Sequence, residues 1–271
     1  MIVSRLTDGL GNQMFQYAAG RRLAHHHGTA LILDVSLYAN QPPTSTPRRY
    51  ELNFFRIQAA IAQADLVHVW RKSPFTTFVE SELCAPELLN AHDNAYLVGY
   101  WQCERYFDDI RTLIFAEFAP AGSMDKSNII TSQKIKRSIS ISVHVRRGDY
   151  VNNKFHTFMG LDYYRAAVAE ITKKIPSPHF FVFSDDPEWC RENLDIGFPC
   201  TLVTHNVGPQ AYWDIILMSR CHHNIIANSS FSWWGAWLNR NTDKIVIAPK
   251  QWFGDPTVDT RDRVPDDWIR L

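Results

Sequence analysis

The chain lacks the features that mark secreted, membrane-spanning and zinc-binding proteins. It has five cysteines in 271 residues, an odd number without a C-x-x-C pair, so neither a disulfide framework nor a zinc ribbon is predicted and reduced cysteines are the simpler interpretation. The N-terminal residues lack the charged and then apolar pattern of a signal peptide, and no run reaches the ~18 apolar residues of a spanning helix. We therefore expect a cytoplasmic protein without an integral membrane segment.

An excess of charge of one sign is also missing. Lys and Arg together number 28, as do Asp and Glu, so the chain has no overall field to hold a nucleic acid or an anionic membrane. An anionic ligand must then be held by a local pocket. What the chain does have is 45% hydrophobic and 13% aromatic residues, enough to bury one large core or two modest ones.

Short apolar runs alternate with segments of helical spacing, which is typical of βα units around a parallel sheet. Strands are predicted at 1–6, 29–33, 139–145, 179–183, 201–203, 223–227 and 244–248, and helices at 13–27, 162–174, after Pro187, at 210–221 and at 231–239. The region 35–120 gives no detailed prediction. A polar stretch after Pro120, at 121–128, predicts a linker, so we expect two Rossmann-like domains at residues 1–125 and 126–271.

The strongest motif is HVRRGD at residues 144–149, at the end of a predicted strand. Because side chains alternate along a strand, His144 and Arg146 share one face and Arg147 lies on the other. Ligands of parallel sheets bind beyond the carboxyl ends of the strands, where a guanidinium can clamp a diphosphate in two places. The structural alternative is a pair of surface arginines bound to Asp149.

Two more strand ends of the second half carry polar residues. Asn228, Ser229 and Ser230 precede a helix, whose free N–H groups can bind phosphate, although these residues can equally be plain N-caps. Asp185 and Asp186 follow the strand at 179–183 and can hold a divalent ion, hydrogen-bond a ribose or cap the next helix.

One further carboxylate in the second half is a candidate for binding a base. Asp214 falls early in the predicted helix at 210–221. It could accept two hydrogen bonds from guanine or simply favour the helix N-terminus.

The loop after the first strand, GLGNQ at 9–13, opens a helix, and Asp34 ends the second strand at the offset of a ribose-binding acid. This pattern partly matches a dinucleotide fingerprint. However, Met14 stands where the third glycine belongs and would crowd the helix against the strand. An NAD-dependent oxidoreductase stays as the alternative from another class.

Aromatic residues cluster just before the middle of the chain. Tyr100, Trp101, Tyr106 and Phe107 are interpreted mainly as core, although aromatic rings also stack on sugars. A non-catalytic glycan-binding module is therefore a further alternative.

The motifs GLGNQMFQYA at 9–18, HVRRGDY at 144–150, FSDD at 183–186 and ANSSFSWW at 227–234 resemble, in this order, the bacterial α-1,2-fucosyltransferases of glycosyltransferase family 11. The likeness spans nearly the whole chain. GYWQ at 99–102 also resembles a segment of that family. Four ordered motifs are far more specific than any one of them. The sequence departs from the family at Asp8, where a glycine is usual.

The resemblance implies an α/β, GT-B-like fold with a donor cleft between two Rossmann-like domains, the first on the acceptor side and the second binding GDP-fucose. It implies transfer of L-fucose from GDP-β-L-fucose, with inversion, to the 2-hydroxyl of a terminal β-galactoside such as lactose, N-acetyllactosamine or a lipid-linked glycan. No metal and no other cofactor is implied. A peripheral position at the inner membrane is compatible with a lipid-linked acceptor.

The resemblance also implies roles for individual residues. Those that match donor-binding positions are Arg146 at the β-phosphate, His144 and Asp214 near guanine, Asn228, Ser229 and Ser230 in a diphosphate loop, and Asn12 near the phosphate and the scissile bond. We assign Gly11, Gln13 and Asp185 to the donor as well.

Inversion by single displacement requires a leaving group that is stabilised as charge builds. Arg146, Asn12 and the helix start at Ser229 would provide this without a metal. Candidates for the base that takes the acceptor proton are Asp8, Asp149 and His156.

A metal-dependent transferase of another sugar is the remaining alternative. It would instead use Asp185 and Asp186 to hold the ion.

Overall fold

The computed structural model describes residues 1–39, 41, 47–63, 67, 70, 75–81, 84, 88, 90–151, 158–255 and 257–271. They form two compact units, Met1–Gly122 and Ser123–Leu271, named unit 1 and unit 2 below. The division falls within the polar stretch at 121–128. Over the described ranges, no helix is long and apolar enough to cross a membrane.

Unit 1 is built on a parallel sheet. In its described part, five strands pair in the order β3-β2-β1-β5-β4, and every pair is parallel. The strands are β1 (Ile2–Arg5), β2 (Leu31–Asp34), β3 (Ala60–Ile61), β4 (Thr76–Val79) and β5 (Ala95–Val98). Helices α1 (Leu10–His27) and α2 (Arg111–Glu117) accompany the sheet. The central position of β1 places the loop that follows it at the middle of the carboxyl edge.

The long helix α1 connects β1 to β2. It ends at Gly28, whose φ of 61° lies in the left-handed region that glycine adopts without strain, and the Gly28 N–H donates to the carbonyls of Ala24 and His25. Met14, Phe15 and Ala18 on this helix are buried. The helix therefore packs firmly behind the loop at residues 6–9, and its first turn has a fixed position.

Unit 2 contains a second parallel sheet. Its six described strands pair in the order β11-β10-β9-β6-β7-β8. They are β6 (Ser140–Val145), β7 (His179–Ser184), β8 (Cys200–Val203), β9 (His223–Ile225), β10 (Val246–Ala248) and β11 (Ile269–Arg270), with helices α3 (Lys126–Lys136), α4 (Leu161–Thr172), α5 (Pro187–Asn193), α6 (Tyr212–Arg220) and α7 (Ser230–Trp237). All six residues of β6 are buried. A strand buried on both faces reads as the apolar run that the sequence shows.

The predicted elements of the second half are confirmed to within about two residues at most ends. The strand predicted at 139–145 is Ser140–Val145, and the helix predicted at 162–174 is Leu161–Thr172. Among the aromatic residues assigned to the core, Trp101, Tyr106 and Phe107 are buried, which confirms their prediction. Tyr100 is 45% exposed, so its assignment to the core is wrong.

The prediction that all cysteines are reduced is also wrong. Cys84 and Cys103 form a disulfide within unit 1, with Cα atoms 5.6 Å apart, a usual distance for such a bond. Cys190, Cys200 and Cys221 are free. The two bonded cysteines are separated by 19 positions and meet only through the fold, so cysteine count and spacing did not reveal the pair.

Candidate active site

Arginines and carboxylates cluster where two neighbouring strands of unit 2 end. We name this cluster the charged edge, and its members are Arg146, Arg147, Asp149, Asp185 and Asp186. Val145 at the end of β6 pairs with Ser184 at the end of β7. The residues that follow these two strands therefore lie side by side, as the sequence predicts.

Arg146 is half-buried between two carboxylates. Its Nη2 donates a hydrogen bond to Oδ1 of Asp149 at 2.5 Å, and its Nη1 lies 3.0 Å from Oδ2 of Asp185. Burial lowers the pKa of Arg146, but Asp185 and Asp149 outweigh that effect and the pKa is raised overall. The guanidinium is thus held charged, with a planar fork that suits two phosphate oxygens.

Arg147 has different surroundings from Arg146. Its Nε donates to Oδ2 of Asp186 at 3.0 Å, and its guanidinium carbon lies 4.0 Å from the ring centre of Trp189 and 4.8 Å from that of Phe158. Such stacking suits an arginine better than a lysine. We conclude that Arg147 has a structural role at the charged edge, whereas the positive charge of Arg146 can act on a ligand.

Gly148 allows the turn after Arg147 to close over Asp185. A Cβ atom on Gly148 would lie 2.5 Å from Oδ2 of Asp185, so a larger residue there would displace this carboxylate. Asp185 also accepts the backbone N–H of Arg147 at 2.8 Å. The glycine in the HVRRGD motif therefore lets the carboxylate of Asp185 approach the turn closely.

His144 is buried one position before the end of β6. Its ring lies 5.6 Å from the ring of Phe231, with 32° between their planes. Burial, and then the charge of Arg146, lowers the pKa of His144 to about 3, so the imidazole is neutral. Within the described residues, its Nδ1 is buried without a hydrogen-bond partner, which is unusual for a native polar group.

The start of α7 lies beside this histidine. Strand β9 pairs with β6, so the residues after β9 reach the same edge, and Tyr150 donates a hydrogen bond to the carbonyl of Asn228 at 3.4 Å. Ser229 occupies the N-cap position of α7, but its side chain makes no capping hydrogen bond. The N-terminus of α7 (Ser230–Trp237) therefore has no hydroxyl cap, and its N–H groups and positive dipole end suit an anion.

Asp214 is buried in the first turn of α6. Its Oδ1 accepts a hydrogen bond from Nδ2 of Asn206 at 2.7 Å, and Asn206 in turn exchanges hydrogen bonds with Asn128 of α3. Burial raises the pKa of Asp214 to about 7, although the bond from Asn206 opposes this. Asn206, which donates to the Asp214 side chain, thus lies in the loop before α6 and not at the charged edge.

A second polar cluster lies in unit 1, where the neighbouring strands β1 and β5 end. We name it the amide edge, and its members are Asp8, Asn12, Gln13, Tyr100 and Gln102. Two side-chain hydrogen bonds join the two loops: Tyr100 Oη donates to Asp8 Oδ2 at 2.7 Å, and Gln102 Nε2 donates to Asn12 Oδ1 at 2.6 Å. Neutral hydrogen-bonding groups thus dominate this edge.

Asp8 has a φ of 61°, in the left-handed region where glycine is favoured and aspartate is tolerated. This explains why a glycine would suit position 8. The backbone carbonyl of Asp8 accepts hydrogen bonds from Nε2 of Gln13 at 2.9 Å and from the hydroxyl of Tyr38 at 3.2 Å. These contacts hold the carboxylate of Asp8 in a defined position at the edge.

Gln13 is fully buried, and its side chain forms hydrogen bonds with the backbone of unit 1. Its Nε2 donates to the carbonyls of Asp8 and Arg49, and its Oε1 accepts the N–H of Glu51 at 2.9 Å. Both amide hydrogens are therefore occupied, and Gln13 has none left for a ligand. Gly11, the second glycine of the GLGNQ motif at 9–13, is buried in the first turn of α1.

Asp34 and Met14 do not form a dinucleotide site. Asp34 is fully buried, accepts the hydroxyl of Tyr96 and accepts the N–H of Ser36 at 2.9 Å. Its carboxylate is thus saturated by unit 1. Met14 is also fully buried, where the dinucleotide pattern requires a glycine.

Asp149 and His156 are the other two residues that the sequence suggested as the base. Asp149 is an ion-pair partner of Arg146, and His156 lies outside the described residues.

Within the described ranges, no group of three or more His, Cys, Asp or Glu side chains could hold a metal ion.

Sequence reasoning did not predict the contacts of Tyr100 with Asp8 and of Gln102 with Asn12. It considered the ring of Tyr100 for core packing or sugar stacking and marked Gln102 only as part of the GYWQ family segment at 99–102. Their pairing with Asp8 and Asn12 depends on β5 lying next to β1, and no local pattern reveals that pairing.

The model of the family described as "Glycosyl transferase family 11" matches residues 2–271. The chain belongs to glycosyltransferase family 11. It is 34% identical to an α-1,2-colitosyltransferase of Escherichia coli over 100% of this chain and 99% of that relative. It is 25% identical to galactoside α-(1,2)-fucosyltransferase 1 of Leontopithecus chrysomelas, over 89% of this chain and 66% of that relative. Family membership sets aside the oxidoreductase and the glycan-binding module.

Solved structures support the same fold. A NodZ α-1,6-fucosyltransferase soaked with GDP-fucose matches 88% of this chain and 91% of its own chain, with a TM-score of 0.53 and 18% identity. Arabidopsis thaliana FUT1, as its R284K mutant in complex with GDP, matches 90% of this chain and 69% of its own, with a TM-score of 0.50 and 11% identity. At such identities the likeness concerns the fold, which is α/β and GT-B-like, with one parallel sheet in each unit.

Proposed function

We propose that this glycosyltransferase moves L-fucose from GDP-β-L-fucose to the 2-hydroxyl of a terminal β-galactoside, with inversion and without a metal ion. The observation that carries the proposal is the meeting of a charged guanidinium and an uncapped helix N-terminus at adjacent strand ends of unit 2. Arg146 follows β6, and α7 begins shortly after β9. Both groups attract anions, and the diphosphate that leaves the donor sugar is an anion.

The carboxylates of the charged edge support a mechanism without metal. Asp185 and Asp186, which a metal-dependent transferase would use, are bound to Arg146 and Arg147 at 3.0 Å each. A divalent ion at this pair would have to displace both guanidinium groups. Arg146 can instead supply the positive charge that a metal supplies elsewhere.

The described contacts favour Asp8 as the base. Asp149 is already paired with Arg146. In the part of the chain that the structure describes, Asp8 forms no ion pair within 4.0 Å, and its carboxylate accepts hydroxyls of Tyr100 and Thr7 at 2.7 and 3.4 Å. A carboxylate that binds hydroxyls in the free protein can accept a hydrogen bond from the acceptor's hydroxyl and then take its proton.

Colitose is the second candidate for the transferred sugar. The 34% identity to an α-1,2-colitosyltransferase over both full chains favours it, whereas the fucosyltransferase relatives are near 25% identical. Colitose is fucose without its 3-hydroxyl, so the two donors differ in one hydrogen-bonding group. A site built to bind that hydroxyl discriminates strongly against its loss, whereas an apolar site discriminates weakly.

The test is sugar transfer to lactose in excess EDTA, with GDP-fucose and GDP-colitose supplied separately and the linkage assigned by NMR. We expect an α-1,2-linked fucosyl product at undiminished rate in EDTA. Transfer of colitose alone would replace fucose by the second candidate. Activity that EDTA abolishes and Mn²⁺ restores would contradict the metal-free mechanism, and no transfer with either donor would contradict the proposed function.

A further inference from the structure

The two carboxylates that hold Arg146, those of Asp185 and Asp149, are supported in different ways. Asp185 follows the mostly buried strand β7, and its Oδ1 accepts the backbone N–H of Arg147 at 2.8 Å. Its Oδ2 lies 3.0 Å from Nη1 of Arg146, and a Cβ on Gly148 would lie 2.5 Å from the same oxygen. Asp185 therefore cannot turn away from Arg146 without losing a main-chain hydrogen bond.

Asp149 reaches Arg146 from the same short turn of the chain. It lies in the 3₁₀ turn Gly148–Tyr150, three residues after Arg146, and its Oδ1 accepts Nη2 of Arg146 at 2.5 Å. The side chain of Asp149 is 31% exposed, so a rotation about its own bonds can carry the carboxylate into water. Neither strand β6 nor the ion pair of Asp185 has to move for this exchange.

The turn that carries Asp149 also contacts the loop that opens α7. Tyr150 donates a hydrogen bond to the carbonyl of Asn228 at 3.4 Å, and the guanidinium carbon of Arg146 lies 5.3 Å from the centre of the Tyr150 ring. An anion that binds both Arg146 and the N-terminus of α7 therefore approaches beside this turn. There it meets the carboxylate of Asp149, which repels it and occupies Nη2.

We propose that Asp149 is an internal counter-ion of Arg146, which the diphosphate of the sugar nucleotide displaces from Nη2 while Asp185 stays in place. The inference rests on the proposed function, in which Arg146 binds that diphosphate. Burial lowers the pKa of Arg146, and Asp185 opposes this more strongly than Asp149 does, so the guanidinium stays charged when Asp149 leaves. The exchange selects highly charged anions, because a weakly charged one does not replace a carboxylate that the chain itself holds nearby.

The substitutions Asp149→Asn and Asp185→Asn should change GDP affinity in opposite directions. Asparagine keeps the shape of each side chain and removes its charge. Asp149→Asn weakens the bond to Nη2 and removes a repulsion, so we expect Kd for GDP to fall about fivefold. Asp185→Asn loosens the support of Arg146 and should raise Kd about tenfold. Calorimetry in excess EDTA, at one ionic strength, measures both values.

The matched control is Asp162→Asn. Asp162 is also paired with an arginine three residues away in unit 2, Arg165, at 3.2 Å, but its side chain is 99% exposed. The substitution changes the charge of the protein by the same amount as Asp149→Asn, so Kd for GDP should stay within about twofold of wild type. A gain in affinity as large as that of Asp149→Asn would reflect net charge alone and would overturn the inference.

A double-mutant cycle with Arg146→Ala tests whether the effect passes through Arg146. Without the guanidinium there is no pair to displace, so adding Asp149→Asn to Arg146→Ala should change Kd for GDP by less than about twofold. A gain that persists undiminished in that background would come from direct repulsion of the diphosphate, and Asp149 would then not act as a counter-ion. Melting temperatures of all variants identify any loss of affinity caused by unfolding.

The inference and the proposed function fail in different ways. A wild-type protein that binds no GDP contradicts the proposed function and the inference with it. If the wild type binds GDP and a folded Asp149→Asn protein binds it equally or more weakly, the inference alone is overturned. Asp149→Ala, which removes the bond to Arg146 completely, should show the same gain in affinity and replaces Asp149→Asn if that protein does not fold.

Discussion

At the charged edge of unit 2, two guanidinium groups face three carboxylates, whereas the amide edge of unit 1 consists of three amides, a phenol and one carboxylate. Both edges lie at the carboxyl ends of central parallel strands, and both are held by hydrogen bonds between neighbouring loops. They differ in what a ligand must displace. A diphosphate at Arg146 must replace a carboxylate, while a sugar hydroxyl at the amide edge needs only to join existing donors and acceptors.

Under the proposed function, the two edges have different roles because they differ in charge. The paired carboxylates would keep Arg146 positioned and charged until the diphosphate of the donor binds. Neutral amides and phenols can bind hydroxyls without a large desolvation cost. We therefore expect charge-altering substitutions to act most strongly at the charged edge, and polarity-preserving substitutions to separate binding from catalysis at the amide edge.

The largest effect is expected for Arg146. Arg146→Ala should lower kcat by at least about 10² to 10³ because the developing charge loses its counterion, and Arg146→Lys should remain badly impaired because it keeps the charge but loses the fork. Fucose transfer in EDTA, with circular dichroism to confirm folding, is the measurement. A folded Arg146→Ala protein with near-normal turnover would show that the charged edge is not the donor site.

The substitution Asp8→Asn tests whether the amide edge supplies the base for the acceptor proton. Asparagine keeps the shape and tolerates the left-handed backbone, but it is not basic, so we expect kcat to fall about 10²-fold with little change in GDP affinity or melting temperature. The control is Tyr100→Phe, which removes the hydrogen bond to Asp8 and leaves the carboxylate in place. An Asp8→Asn enzyme as fast as wild type would mean that the acceptor proton needs no base from this residue.

Asp214 is a carboxylate that belongs to neither edge, and its substitution tests whether it binds guanine. Its ionised form can accept both the N1 and N2 protons of guanine, and its pKa is about 7. GDP affinity should therefore fall about tenfold per pH unit below pH 7 in wild type and should be weaker and independent of pH in Asp214→Asn. Calorimetry between pH 5.5 and 8.5 measures this, with the exposed Asp243→Asn as control. Unchanged GDP affinity in Asp214→Asn would remove the residue from the donor site.

The same substitution has an effect on stability of known sign. The pKa of Asp214 in the folded protein is above the ordinary value of 3.8, so its contribution to stability is complete below about pH 4 and is lost as pH rises through about 7. Asp214→Asn removes the buried charge. Its melting temperature relative to wild type should therefore be higher at pH 8 than at pH 5.

The smallest effect on catalysis is expected for Arg147. Arg147→Ala removes the ion pair with Asp186 and the stacking on Trp189 and Phe158, which together should cost about 1 to 2 kcal/mol of unfolding free energy. Turnover per folded molecule should stay within a few-fold of wild type. A loss of kcat as large as that of Arg146→Ala, without a change in stability, would show that Arg147 also meets the diphosphate.

The sequence predicted the charged edge better than the amide edge, and the reason is the range of the contacts. At 139–248, strands and helices alternate with clear periodicity, so the ends of β6, β7 and β9 could be placed together. The strands β4 and β5 are short, and the region 35–120 is broken by prolines and aromatics. The pairing of Gln102 with Asn12, 90 positions apart, therefore left no local signal.

Charge pairing within the site was also hidden in the sequence. The HVRRGD motif shows two arginines and one aspartate, but the contact of Asp185 with Arg146 and the close approach of Asp185 to Gly148 require the β6–β7 register. Periodicity identifies which face a residue occupies. It does not show which carboxylate reaches which guanidinium, because long side chains choose partners by distance in three dimensions.

The backbone of Asp8 has a consequence for how such enzymes diverge. Glycine and aspartate codons differ by one nucleotide, and a left-handed φ of 61° accepts aspartate at a cost of about 1 kcal/mol relative to glycine. A lineage with glycine at this position could thus gain the base proposed above in one mutational step, without remodelling the loop. Reversion would be equally simple, so position 8 is a place where this carboxylate can be gained or lost during descent while the rest of the enzyme stays the same.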